Sequence, residues 1–297
     1  MNLRKRFALF VVPTAFALLA ACSTATTSLG TAPTYTPRLN DLSQCKTWIA
    51  GRAWSSQRSS PELKLISPWV ACYDGTLEAG LEEGLVAWAA SEPPGSRSKA
   101  LVIRSRGGDA AVGLAVAEAL HKTRTHVYVT QICASSCANY IFAGVADRHV
   151  IDKAAILFHG GYSPKTRAHV IEQFETFIRS PSGQAIEDPV ENRLQVLRDF
   201  DAKWERQRRL YHHAGVKNAV VERVDAIDFR KIEAENCGGD IVTSRNFVFF
   251  GSRQLSQLGI SIKSGWPATT PADVNGTLKG LGADFVACMA PTWFFGE

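Results

Sequence analysis

This 297-residue sequence lacks the marks of several protein classes. The apolar run from Phe7 to Ala21 is broken by Pro13. It is shorter than the ~20 apolar residues that a spanning helix needs. Charge of one sign is scarce: Lys and Arg number 33 against 28 Asp and Glu, a net +5. Arg4, Lys5 and Arg6 supply three of those positives, which leaves about +2 for the rest. That balance argues against a nucleic-acid or acidic-surface partner. No Cys-x-x-Cys or His-x-x-x-His cluster is present, so no metal or other cofactor is expected. No internal repeats or low-complexity core segments stand out.

What is present begins with an address. A basic start, a short apolar stretch and Leu19-Ala20-Ala21-Cys22 form a secretory leader with a small-residue cleavage zone. An uncleaved anchor is the other reading of the stretch. Leu-Ala-Ala-Cys resembles a lipobox. The resemblance implies removal of residues 1–21, acylation of Cys22 and a bacterial envelope location. Ser23 implies the outer membrane, facing the periplasm. Residues 22–40, rich in Thr, Ala and Pro from Thr24 to Arg38, read as a flexible tether.

Removing residues 1–21 from 297 leaves 276, enough for one large α/β domain. Seven cysteines include Cys22, so Cys45, Cys72, Cys133, Cys137, Cys237 and Cys288 remain. An even number in an oxidising compartment predicts disulfides. At least two are expected, and Cys237 to Cys288 would hold the tail. Six cysteines allow fifteen full pairings, and spacing does not choose among them.

Strand and helix patterns alternate. Val70–Tyr73 reads as a strand, and Leu77, Leu81, Leu85 and Trp88 recur at helical spacing to Ala90. Pro93-Pro94-Gly95 ends that helix. Ala100–Arg104 is an apolar strand, Ala111–His121 a helix and His126–Ile132 a β-rich run. Cys137–Val145 reads as a helix and Ala154–Phe158 as a strand. The alternation predicts parallel βαβ units. The second half is more helical, with an amphipathic helix over Val190–Tyr211 whose apolar side carries Leu194, Leu197, Phe200, Trp204 and Leu210. Ser252–Leu258 reads as a helix stopped by Gly259.

Three short elements offer chemistry, and each has a plain structural reading. Ser105-Arg106-Gly107-Gly108 follows a strand, where bare glycines let backbone N–H groups approach a ligand, or simply make a turn. Cys133-Ala134-Ser135-Ser136-Cys137 joins a strand to a helix, where a Ser is either exposed to substrate or an N-cap. Leu157-Phe158-His159-Gly160-Gly161 ends a strand with a His, which is either a general base or structural.

Order and spacing join the three. Twenty-six residues, 109 to 134, separate the glycine pair from Ser135, and His159 lies twenty-four positions beyond it. This arrangement resembles the Clp protease/crotonase superfamily. There, a Ser-Pro-Gly-Gly turn contributes to an oxyanion hole, a helix-leading Ser is the nucleophile and a His follows. Here Ser-Arg-Gly-Gly stands for the first motif and Ala134-Ser135-Ser136-Cys137 for the family's Ala-Ser-Met-Gly. Ala143-Gly144 falls where the family has Ala-Gly, which favours Ser135 over Ser136. The resemblance covers Val70–Gly161 and extends to Gln254-Leu255-Ser256-Gln257-Leu258-Gly259.

The resemblance implies an α/β domain of repeated ββα units over residues 41–263, followed by a C-terminal extension, 264–297. It implies a serine peptidase with Ser135 as nucleophile and His159 as base. Gly107 or Gly108, together with Ser136, would supply the oxyanion N–H groups. Asp225 is the third member, with Asp228 in reserve, after an insertion near Ser180–Pro189. The expected partner is a polypeptide substrate or envelope protein, and a homo-oligomer is carried over from the family. The opposing reading is an inactive binding or assembly lipoprotein of the same fold, because the family's Pro and Met are replaced at the two motifs.

Overall fold

The structure is a computed structural model and describes residues 37–54, 61–91, 98–183, 186–238 and 247–295. The leader, Cys22, most of the tether and Pro93-Pro94-Gly95 lie outside the described residues. The chain is mixed α/β with a largely parallel five-stranded sheet. The strands are β1 (Glu62–Ser67), β2 (Val70–Asp74), β3 (Ala100–Ser105), β4 (His126–Ala134) and β5 (Arg148–Leu157), in spatial order 1-2-3-4-5. β1 is antiparallel to β2, and the other neighbours are parallel.

All six residues of β3 are buried, as a parallel strand covered on both faces requires. Side chains alternate between two cores. Ala71, Tyr73, Leu101, Ile103, Val127 and Val129 face α2 (Leu81–Ala90) and α3 (Ala110–Lys122). Val70, Cys72, Val102 and Tyr128 face α1 (Leu39–Ala50). α3 buries Val112, Leu114, Val116 and Leu120. At about 2 kcal/mol each, that burial outweighs the ~1 kcal/mol of its Asp109 N-cap. Packing holds the helix, and the cap sets where it begins.

The strand after α3 is bulged. β4 slips register against both neighbours around Gln131, whose φ is +57°. A bulge re-aims the end of a strand. Arg104 pins it, donating from Nη1 to Gln131 Oε1 at 2.6 Å and bidentately to the buried Asp74. Beyond the bulge, Ile132 and Ala134 join Ala155 and Leu157 in a third core.

The helices of the second half are α4 (Pro164–Ile178), α5 (Pro189–Ala214), α6 (Ala219–Asp225), α7 (Ser252–Gln257) and α8 (Pro271–Gly280). A parallel pair, β6 (Phe247–Phe249) and β7 (Ala287–Met289), joins the tail to the domain. α8 supplies Val274 and Leu278 to the third core. α5 is longer than the pattern predicts and only half docked. Phe200, Gln207, Leu210 and Tyr211 are buried, whereas Val190 and Leu194 are exposed. No helix among the described residues is long and apolar enough to cross a membrane.

Three disulfides are present: Cys45–Cys72, Cys133–Cys137 and Cys237–Cys288. The expected bridge to the tail is among them. Such bonds persist in oxidising compartments.

Candidate active site

Ser135 follows the last residue of β4, and a π-helix, Cys137–Phe142, begins two residues later. Its φ is +57°, a left-handed conformation that costs a residue with a Cβ about 1–2 kcal/mol. Two backbone hydrogen bonds oppose that cost. Ser135 N–H donates to Leu157 O at 3.0 Å, and Asn139 N–H donates to Ser135 O at 2.8 Å. The Cys133–Cys137 bridge spans the same turn.

His159 stands just past β5. Phe158 before it exchanges two backbone hydrogen bonds with Val248, of 2.7 and 2.8 Å. Asn139, one turn after Ser135, donates from Nδ2 to the carbonyls of His159 and Gly160 at 3.0 and 3.2 Å. Ser135 Oγ then lies 2.5 Å from His159 Nε2. Burial pushes the imidazole pKa below its ordinary value. A Gly160 backbone hydrogen bond and the negative charge of Asp225 oppose that shift. The imidazole is therefore neutral near pH 7, the form able to accept a proton.

Asp225 ends α6 and makes close contact with the chain beside His159. A Cβ on Gly160 would come within 2.3 Å of Asp225 Oδ1, so the glycine admits the carboxylate. Its Oδ2 accepts hydrogen bonds from Ser163 Oγ and, at 2.9 Å, from Thr166 Oγ1. No hydrogen bond joins it to His159 among the described residues. It acts on the imidazole through its field. Asp228 is elsewhere, paired with Arg230 and capping a short 3-10 turn.

The glycine turn packs on Ser135. Gly107 has φ +88°, and a Cβ there would lie 2.4 Å from Ser135 Cβ and 2.9 Å from its Oγ. The turn is tied to Leu77, whose N–H donates to Gly107 O at 2.8 Å. Gly107 N–H donates to Ser105 Oγ at 3.1 Å, within its own turn. Among the described residues, no turn or inter-element hydrogen bond takes up the N–H of Gly108 or Ser136. Gly108 and Ser136 line the same cavity as Ser135 and His159. Ser136 Oγ donates to Gly108 O at 3.2 Å and locks the two together.

Two cavities open on either side of the pair. One, of about 390 Å³, is lined by Thr76, Arg106, Gly108, Ser135, His159, Phe247 and Phe285. The other, of about 210 Å³, reaches Asn139, Tyr140, Tyr162 and Thr166. The Phe247 and Phe285 rings pack at a tilt of 51°, 4.9 Å between centroids, and the Phe247 ring lies 5.5 Å from that of His159. Sequence reading missed these walls. Asn139 had a signal, being one helical turn past Ser135. Ser163-Pro164 had one too, as an N-cap followed by Pro. Phe285 had none, since the tail reaches the site through long-range contacts: the β6–β7 pairing, the packing of α8 in the third core and the Cys237–Cys288 bridge.

No group of three or more His, Cys, Asp or Glu that could hold a metal occurs among the described residues. No protein-family model matches the chain, and no curated protein matches it.

Proposed function

We propose that the chain is an envelope-anchored serine peptidase of Clp/crotonase-like ββα architecture, acting without a cofactor. The observation that carries the reading is the Ser135 Oγ to His159 Nε2 approach of 2.5 Å beside the glycine turn of Gly107 and Gly108. In this mechanism Ser135 Oγ attacks the peptide carbonyl carbon and its proton passes to His159 Nε2. The N–H groups of Gly108 and Ser136 receive the oxyanion. As the C–N bond breaks, His159 returns the proton to the leaving amine. Water then attacks the acyl-Ser135 ester, with His159 taking a proton from it and handing one back to Oγ. Asp225 stabilises the imidazolium through space, without the direct hydrogen bond of a Ser-His-Asp triad.

The substrate is an unfolded or extended polypeptide, with room for side chains in the two cavities. Acylation of Cys22 would place the domain at the outer membrane, facing the periplasm, and replacing Cys22 should release it into the soluble envelope fraction. A wild-type chain that takes up no labelled fatty acid contradicts the anchor.

One observation favours an inactive binding or assembly role. The Asp225 carboxylate is engaged by Ser163 and Thr166 rather than by His159. Incubation of wild-type and Ser135→Ala protein with a denatured polypeptide separates the two readings. Peptide products from the wild type alone support the peptidase. Equal binding without products from either supports the second reading.

A further inference from the structure

We infer that the Cys133–Cys137 disulfide is the positioning device for Ser135, so that the reactivity of this hydroxyl depends on the oxidised bridge. The inference rests on the acyl-transfer reading above.

The three disulfides close sequence separations of 4, 27 and 51 residues. In the chain-entropy account, stabilisation grows with loop length, so the bridge of separation 4 does least for the chain as a whole. Its placement is local. Cys133 is the penultimate residue of β4, Cys137 opens the π-helix, and both are fully buried. Between them, Ser135 holds φ +57°. A left-handed residue with a side chain persists only where its surroundings over-determine it. π-turns are likewise rare and concentrate at functional positions. The bridge ties the strand end to the first residue of that helix across the strained serine. Without it, the start of the helix is free to relax toward ordinary α spacing, which turns Oγ away from His159 Nε2. The bare Cα of Gly107 limits the other direction of movement. A dithiol reductant opens the bridge by transferring two electrons and two protons: the S–S bond breaks, two thiols form and the dithiol becomes a disulfide.

The test uses the full chain and a fluorophosphonate probe at several concentrations, read as a maximal inactivation rate and a probe affinity. In Cys133→Ala/Cys137→Ala the maximal rate should fall about 10- to 100-fold, as expected for a reacting group displaced by about 1 Å, with probe affinity unchanged. Amide exchange should rise only across residues 133–142. The control, Cys45→Ala/Cys72→Ala, should lose thermal stability and keep the wild-type rate per folded molecule. If the first variant does not fold, dithiothreitol titration of the wild type with thiol mapping replaces it. A rate that follows the Cys133 and Cys137 thiols and recovers on reoxidation supports the inference. A folded double variant that labels at the wild-type rate overturns it, as does a loss confined to probe affinity. Oxidised wild type that does not label at all overturns the acyl-transfer reading, and this inference with it.

Discussion

Replacing Gly107 by Ala separates two physical costs at the candidate site. Gly107 has φ +88°, and Gly215, at the end of α5, has φ +70°. Ala at Gly215 meets nothing within 4 Å, so it carries conformational strain alone, about 1–2 kcal/mol. Ala at Gly107 carries similar strain and also places a Cβ 2.4 Å from Ser135 Cβ and 2.5 Å from Ala134 O. Overpacking of that kind typically adds about 1–3 kcal/mol, which gives roughly 2–5 kcal/mol in all. That is a large fraction of the about 5–15 kcal/mol by which a domain is stable. Urea denaturation of both variants reads the difference. The new methyl also lies 2.9 Å from Ser135 Oγ, so labelling of the folded Gly107 variant should slow by about a hundredfold. Equal stability losses at the two glycines, or normal labelling of the Gly107 variant, would refute the contact argument.

Other expectations follow from the same geometry. Burial lowers the His159 pKa, so the neutral base persists as pH falls through 6.5, and labelling should have its midpoint below that value. Across that window the unfolded chain binds a proton that the folded chain does not, so this group's contribution to stability grows as pH rises. Asp225→Asn removes the charge that pulls the pKa back up, and the labelling midpoint should move lower still. An upward shift contradicts the through-space role. Removing the Cys237–Cys288 bridge, which closes 51 residues, should cost about 4 kcal/mol in urea denaturation. A loss below about 1 kcal/mol would show that the β6–β7 pairing and the packing of α8 hold the tail without the bridge.

The parallel core was legible because β2, β3 and the start of β4 are short apolar runs punctuated by turn residues. Register-breaking features were not. β5 begins at Arg148, six residues before the apolar run, because Arg148–Ile151 already pair with β4, and positive φ at the exposed Asp152 and Lys153 then breaks the alternation. Periodicity cannot report such a kink. Leu77 fits the helical spacing of α2, yet it bridges to Gly108 instead, and the helix starts at Leu81. The glycine turn outcompetes the helix for its backbone. The tether reading ran to residue 40, whereas α1 starts at Leu39 and buries only Cys45 and Ile49, too sparse a stripe to stand out. Ser163-Pro164, Asp188-Pro189 and Thr270-Pro271 each cap a helix, a signal available in the sequence for α4, α5 and α8. The Ser135–His159 pair was foreseeable from order and spacing. The capture of Asp225 by Ser163 and Thr166 depends on how α6 packs against α4, which no local pattern encodes.

Covalent labelling of Ser135 tests the central claim most directly. A fluorophosphonate should modify the folded wild-type chain on the peptide that contains Ser135, leave Ser135→Ala unmodified, and react about 10²–10⁴-fold more slowly with folded His159→Ala. A label found on Ser136 would move the nucleophile by one residue. A folded, oxidised wild-type chain that takes no label and cleaves no denatured polypeptide would contradict the account.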